Sequence, residues 1–184
     1  MPITSRADHR RYLDADMRAY DPSYTAWRPW YGVKYPQLAW QRKLRLAELL
    51  LNTASNPAAR ALAQVARLRA RTAGIKLGFS IPPNVFGPGL CIVHWGTIVV
   101  NDRAVVGADC RMHPGTVLGV KDDQVPRLGD RCYLGPGSKL IGGIVLGDDV
   151  TVGANAVVTH SFPSGVTVMG VPAKVRKTAE TLPS

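Results

Sequence analysis

The feature that most constrains the fold of this chain is a six-residue repeat between residues 106 and 158. An aliphatic residue returns at every sixth position, glycine usually follows it, and a small or medium-sized residue stands four positions after it. Neither the period of a helix nor the alternation of a strand produces this spacing, so the repeat predicts a solenoid of short strands and turns, a β-helix with three units per triangular coil. The aliphatic row is Val106, Met112, Leu118, Leu128, Leu134, Leu140, Leu146, Val152 and Val158.

The chain before the repeat has apolar residues at helical spacing. We expect a first helix beginning near Ser5 or Asp8, a second over 38–54, and a third over 58–71 that Gly74 ends as a C-cap. The sequence therefore predicts a mostly β fold with an N-terminal α-helical segment. The apolar residues expected on one side of the third helix are Leu62, Val65, Ala66 and Leu68.

Three regions follow from this change of pattern. Residues 1–73 form the helical region, residues 74–173 the β-helix domain, and residues 174–184 a C-terminal tail.

The repeat is interrupted between Leu118 and Leu128, where the step is ten residues instead of six. The extra residues are polar and are expected to project as a loop, and a loop that leaves a regular solenoid is often functional.

The sequence composition indicates the cellular compartment in which the protein is expected. The N-terminus lacks the apolar centre of a signal peptide, and no apolar run approaches the length of a membrane span. The three cysteines are an odd number without paired spacing, which favours buried thiols in a reducing compartment. We therefore expect a cytoplasmic protein.

The net charge of +10 is concentrated at the front of the chain, where residues 1–73 hold 13 Lys and Arg against 5 Asp and Glu. Solvated helix faces explain this charge best, and an anionic substrate or membrane-side partner is the alternative. No nucleic-acid-binding motif is present. Neither a nucleic acid nor a membrane is therefore an expected partner.

Two histidines are candidates for chemistry. His94 stands where the repeat slips, and His113 follows one coil later, so both are expected at the same corner, about 4.8 Å apart along the solenoid. His9 and His160 are expected on the surface. Two histidines without further ligands do not predict a zinc site, so no metal is expected. Cys91 as a covalent nucleophile is disfavoured because it lies in an apolar strand.

The segments LGFSIPPNVFGPGL, IVHWGTIVV, MHPGTVLG and GVPAK resemble the serine O-acetyltransferase branch of the hexapeptide acyltransferases. Within it, the chain is most similar to the shorter members found in exopolysaccharide and capsule clusters. This resemblance implies a left-handed parallel β-helix, a homotrimer with active sites between subunits, and acetyl-CoA bound along the groove between coils. A hexamer formed through the helices is an open alternative.

The same resemblance assigns roles to individual residues. His94 falls on the family's general base, and His113 is a second catalytic candidate. Gly119 falls on the turn near the thioester. Pro136 and Ala154 fall on positions that line the pantetheine arm, and Lys174 falls near the nucleotide end of the cofactor.

The chain departs from the serine-specific members at the acceptor end. Val93 replaces an Asp and Val125 replaces a second His, and residues 79–81 offer no acid to orient the base. A zwitterion such as serine needs charged partners, and burying it without them is costly. We therefore expect a saccharide hydroxyl as acceptor. Serine O-acetylation for cysteine biosynthesis is the alternative, and a non-catalytic scaffold is a second one.

Overall fold

The computed structural model describes residues 2–178, and side chains as far as residue 176. A helical region precedes a parallel β-helix. The helices of the described chain are α1 (Arg6–Tyr20), α2 (Tyr31–Lys34), α3 (Pro36–Thr53) and α4 (Pro57–Leu77).

The ends of the helices follow local chemistry. Ser5 caps α1 by accepting a hydrogen bond from the backbone N–H of Asp8 at 3.0 Å. Asn56 caps α4 in the same way, and Pro57 occupies its first turn.

Gly78, with a φ of +83°, ends α4. The expectation that Gly74 ends this helix is wrong. Gly74 is glycine because a Cβ there would lie 2.9 Å from Nε1 of Trp40.

The packed face of α4 also differs from the expected one. Its buried residues are Ala63, Ala70 and Gly74, which let the helix lie close to its neighbours. The large apolar residues Leu62 and Leu68 are 57% and 62% exposed. The sequence pattern therefore identified a helix, but not the side on which it packs.

The β-helix has three faces of parallel strands. Face A contains β1 (Phe79–Ser80), β3 (Ile98–Val100), β6 (Val117–Gly119), β9 (Lys139–Ile141) and β12 (Val157–Val158). Face B contains β4 (Val105–Val106), β7 (Arg127–Leu128) and β10 (Val145–Leu146). Face C contains β2 (Cys91–Ile92), β5 (Arg111–Met112), β8 (Tyr133–Leu134), β11 (Thr151–Val152), β13 (Val166–Met169) and β14 (Lys174–Thr178).

The aliphatic row fills the interior of the coil, as the repeat predicts. Each of its residues is at most 5% exposed, and the small residues four positions later are buried as well. All three cysteines are buried free thiols, two of them at these small positions. The predicted β-helix is confirmed.

The last strand pairs differently from the others. β14 runs antiparallel to β13, so residues 174–178 of the predicted tail form a strand, and residues 179–184 lie outside the described part. At the other end, α4 continues to Leu77, three residues past the expected start of the β-helix domain.

A buried charge cluster joins the helical region to the first coil. The Arg45 side chain is fully buried and contacts Asp16 at 2.8 Å and Glu48 at 3.0 Å. It also donates hydrogen bonds to the carbonyl oxygens of Phe86 and Gly87. Because Arg45 bonds to both parts, this cluster fixes the helices on the coil that carries the strand leading to His94.

Candidate functional site

The two candidate histidines lie at one corner of the β-helix, where the strands of face C end. Ile92 pairs with Met112, so the turns after β2 and β5 are stacked in adjacent coils. Gly96 has a φ of +139°, and a Cβ there would lie 3.0 Å from Pro114. The turn that contains His94 therefore rests directly on the turn that contains His113, which agrees with the expected shared corner.

His113 is the more constrained of the two. Its Nε2 atom lies 2.9 Å from the hydroxyl of Tyr133, which stands one coil further along. Partial burial lowers the pKa of His113, and positive charge on Arg111 and His94 lowers it further. The ring of His113 is thus held in place and favours the neutral form.

His94 is exposed and, among the described residues, no side chain hydrogen-bonds to its ring. As the sequence predicts, residues 79–81 place no acid beside it; Phe79 is 4% exposed and packs against Trp40. Trp95 follows His94 directly and is 61% exposed. The base candidate therefore faces solvent beside an aromatic surface, without an acidic partner among residues 2–178.

Helix α3 holds the strand that leads to His94. Gln37 donates a hydrogen bond from Nε2 to the carbonyl oxygen of Val93 at 3.2 Å, and Gln41 donates to that of Leu90 at 2.6 Å. The hydroxyl of Tyr20 bonds to both backbone groups of Ile92. These positioning contacts give no signal in the six-residue repeat, so they could not be predicted from it, and neither could the roles of Tyr133 and Trp95.

The corner of the histidines continues along the β-helix. The backbone N–H of Gly137 bonds to the carbonyl oxygen of Pro114, and that of Asn155 bonds to the carbonyl oxygen of Pro136. The exposed residues Pro136 and Ala154 therefore stand in successive turns of the same column.

Lys174 pairs with Met169 in the last coil of this column. Four strand spacings, or about 19 Å, separate that coil from the one of His94. Five of the six predicted site residues thus lie along one edge in the expected order.

Gly119 is the exception. It ends β6 on the far side of face A, where a Cβ would lie 2.8 Å from Cδ1 of Ile141. Within one chain, the structure therefore does not bring Gly119 to the histidines.

The predicted loop leaves the coil between β6 and β7. Asp122 and Asp123 have φ values of 50° and 57°, and backbone hydrogen bonds between Lys121 and Gln124 close the turn. Asp123 pairs with Arg103 at 2.8 Å. The loop exposes charges of both signs, while Val125 is half-buried at its base.

Residues 2–178 support neither a metal site nor a nucleophilic cysteine. No group of three or more His, Cys, Asp or Glu side chains is placed to hold a metal ion there. Burial raises the pKa of Cys91, which leaves its thiol a weak nucleophile.

Comparison with known proteins connects this geometry to a family. Residues 126–160 match the family model described as bacterial transferase hexapeptide (six repeats). The serine acetyltransferase of Helicobacter pylori strain J99 is 39% identical over 120 residues, which span 63% of this chain and 67% of that protein.

The fold is also similar to those of solved serine acetyltransferase structures. The crystal structure of the serine acetyltransferase of Brucella abortus strain S19 in complex with coenzyme A superposes with a TM-score of 0.74 at 25% identity, covering 94% of this chain and 70% of the other. Soybean serine acetyltransferase complexed with serine gives 0.74 at 26% identity, covering 92% and 70%. The specific similarity to exopolysaccharide-cluster enzymes stays a prediction. From sequence, repeat and fold together, the chain belongs to the serine acetyltransferase family of hexapeptide-repeat acyltransferases.

Proposed function

We propose that this protein transfers an acetyl group from acetyl-CoA to the hydroxyl of a small acceptor, with His94 as the general base. The observation that carries this proposal is the single edge that runs from the exposed imidazole of His94 past Pro136 and Ala154 to Lys174. An extended cofactor fits such an edge, with its thioester at the histidine end and its nucleotide near the Lys174 cation. The coenzyme A complex of the Brucella relative supports this choice of donor.

The reaction needs one base and one leaving group. The His94 imidazole takes the proton of the acceptor hydroxyl while the oxygen attacks the thioester carbonyl carbon. When the tetrahedral intermediate collapses, the carbon–sulfur bond breaks and the thiolate of coenzyme A takes the proton back from the imidazolium. General-base help of this kind contributes about 10² to 10⁴ in rate.

For the acceptor, the relatives support serine better than the saccharide expected from the sequence. The H. pylori and soybean relatives are both named serine acetyltransferases, and the soybean structure contains serine. The charged groups that Val93 and Val125 do not provide are present on the loop after β6. This loop leaves the coil at Gly119, so a neighbouring subunit would have to bring it to the histidines. Lys121 is a candidate partner for the serine carboxylate, and Asp122 is one for the ammonium group. We therefore propose serine as the first candidate acceptor.

A loop variant tests this assignment. Asp122→Asn should raise KM for serine about tenfold or more while leaving KM for acetyl-CoA nearly unchanged, since one lost charge contact of about 1.4 kcal/mol is a tenfold effect. Release of the coenzyme A thiol gives both constants. Asp149→Asn, an exposed carboxylate paired with Arg131, is the matched control. Equal serine constants in both variants would remove the loop from the acceptor site.

A saccharide is the second candidate, and one observation favours it. Trp95 exposes its indole directly beside His94, and a flat aromatic surface of this kind suits the apolar face of a sugar ring. Thiol release with serine and with a panel of sugars and sugar nucleotides separates the two. Turnover with sugars but not with millimolar serine would reverse our order of preference.

We also expect a homotrimer. Gly119 lies away from the histidines of its own chain, so it can act near the thioester only if a neighbouring subunit supplies it. Outward-facing Val99, Val105 and Val145 are 42%, 45% and 51% exposed on the flat faces, which suits burial between subunits. Light scattering should give a mass three times that of the chain, or six times if trimers pair. A stable monomer at micromolar concentration would contradict this expectation.

A further inference from the structure

Helix α4 has an unusual outward face. Leu62, Val65, Leu68 and Ile75 are 57%, 48%, 62% and 64% exposed, whereas the side that packs on the protein consists of small residues. At 100° per residue, positions 65, 68 and 75 project within one quadrant and form the stripe, whereas position 62 lies about 60° outside it, beyond Lys76 and Arg69. The helix therefore presents a continuous apolar stripe to its surroundings instead of to the core.

Cations flank this stripe on both sides. Helix α4 carries Arg60, Arg67, Arg69, Arg71 and Lys76, and it contains no Asp or Glu. Among the described residues, none of the ion pairs involves any of these five side chains. A stripe of exposed apolar residues bordered by unpaired positive charge is the pattern of a helix that lies in the plane of a membrane interface.

A groove beside the stripe adds a second feature. It lies between α3 and α4, has a volume of about 530 Å³, and is lined by apolar side chains that include Trp40, Leu44 and Ile81. Arg67 and Arg71 line it as well, and Leu68 and Ile75 belong to both the groove and the stripe. An apolar cleft next to two guanidinium groups fits a molecule with a hydrocarbon chain and an anionic head.

We propose that the outward face of α4, with the adjoining groove, binds the surface of an anionic lipid bilayer. A symmetric pair of chains joined through α4 fits less well, because it would place five positive charges against five without an acidic residue on either helix. A nucleic acid would meet the cations but leave the aliphatic stripe unused. No helix in residues 2–178 is long and apolar enough to cross a bilayer, so the contact proposed is with its surface.

This proposal departs from the sequence-based expectation that a membrane is not a partner. The sequence pattern placed Leu62, Val65 and Leu68 together on one side of the helix but did not identify what that side contacts. Without a structure, leucines at helical spacing indicate a packed face. Only the close packing of Ala63, Ala70 and Gly74 shows that the packed face is the opposite one.

Vesicle flotation tests the proposal and does not depend on the acceptor or on turnover. The full-length protein should float with vesicles of phosphatidylglycerol and phosphatidylcholine but not with phosphatidylcholine alone, and added salt should weaken the binding. Arg67→Glu with Arg71→Glu should lower the partition coefficient about 30-fold or more, since each basic residue near an anionic surface contributes about fivefold. Leu68→Ser, which leaves the charge unchanged, should lower it about tenfold.

The matched control is Arg6→Glu with Arg10→Glu. It changes the net charge by the same amount on exposed residues of α1, which packs against α3 instead of α4, and it should retain most of the binding. Equal loss in both double variants would show that only total charge matters and would overturn the assignment to α4. Absence of flotation at low salt would overturn the proposal itself. A fall in oligomer mass on Leu68→Ser would instead assign the stripe to contact between copies of the chain.

Discussion

Replacement of His94 by alanine is expected to lower kcat by at least about 100-fold, because the imidazole acts on the acceptor proton and no described side chain stands ready to replace it. Binding of acetyl-CoA should change little, since the proposed cofactor site lies along the column that ends at Lys174. Thiol release measures turnover, and calorimetric titration with coenzyme A measures binding. Because His94 is exposed and hydrogen-bonds to no described side chain, the variant should fold normally.

Two further histidine variants make this result specific. His160→Ala removes another exposed imidazole and should leave kcat within about twofold, as is usual for surface substitutions. His113→Ala should have an intermediate effect, because its ring is held by Tyr133 at 2.9 Å next to the base. If His113→Ala is the more damaging change, the base is His113.

The largest effect on stability is expected for Arg45→Ala. The change leaves the carboxylates of Asp16 and Glu48 buried without their common partner, and breaking a buried ion pair on one side costs about 3 to 5 kcal/mol in free energy of unfolding. Urea denaturation at constant protein concentration measures this difference. Arg11→Ala is the matched control, since its contact with Asp8 at 3.2 Å is exposed and such pairs contribute about 1 kcal/mol or less.

The pH dependence of Arg45→Ala identifies the cause. Burial raises the pKa of Glu48 above its ordinary value, and the charge of Arg45 opposes that rise. Without Arg45 the pKa of the folded state rises further above that of the unfolded state, so the folded protein binds a proton more tightly. The stability deficit should therefore shrink as the pH falls through the folded-state pKa of Glu48. A deficit independent of pH would point to lost packing instead of an unpaired carboxylate.

The sequence predicted the β-helix because its signal is periodic and local. Each residue of the aliphatic row faces the interior whatever the neighbouring coils contain, so a six-residue spacing suffices to assign it. The stacking of His94 on His113 follows from the same period, since residues one coil apart share a corner. The loop after Gly119 was likewise predicted, because a ten-residue step interrupts the six-residue spacing there.

Contacts between distant segments could not be predicted in this way. Gln37 and Val93 are 56 residues apart, and Arg45 and Gly87 are 42 residues apart, yet both pairs hold the coil of the base. The local sequence around Arg45 does not indicate that its charged side chain is buried instead of exposed to solvent.

The amino-acid sequence was sufficient to predict the coil, its interior and the edge on which the histidines stand, because these depend on a repeat that each turn satisfies independently. The tertiary structure decided which side of α4 packs, where Gly119 lies relative to His94, and which polar groups hold the strand before the base. Those features depend on packing between segments that are far apart in the chain, where close approach of small residues and burial of charge outweigh the apolar pattern of any single helix.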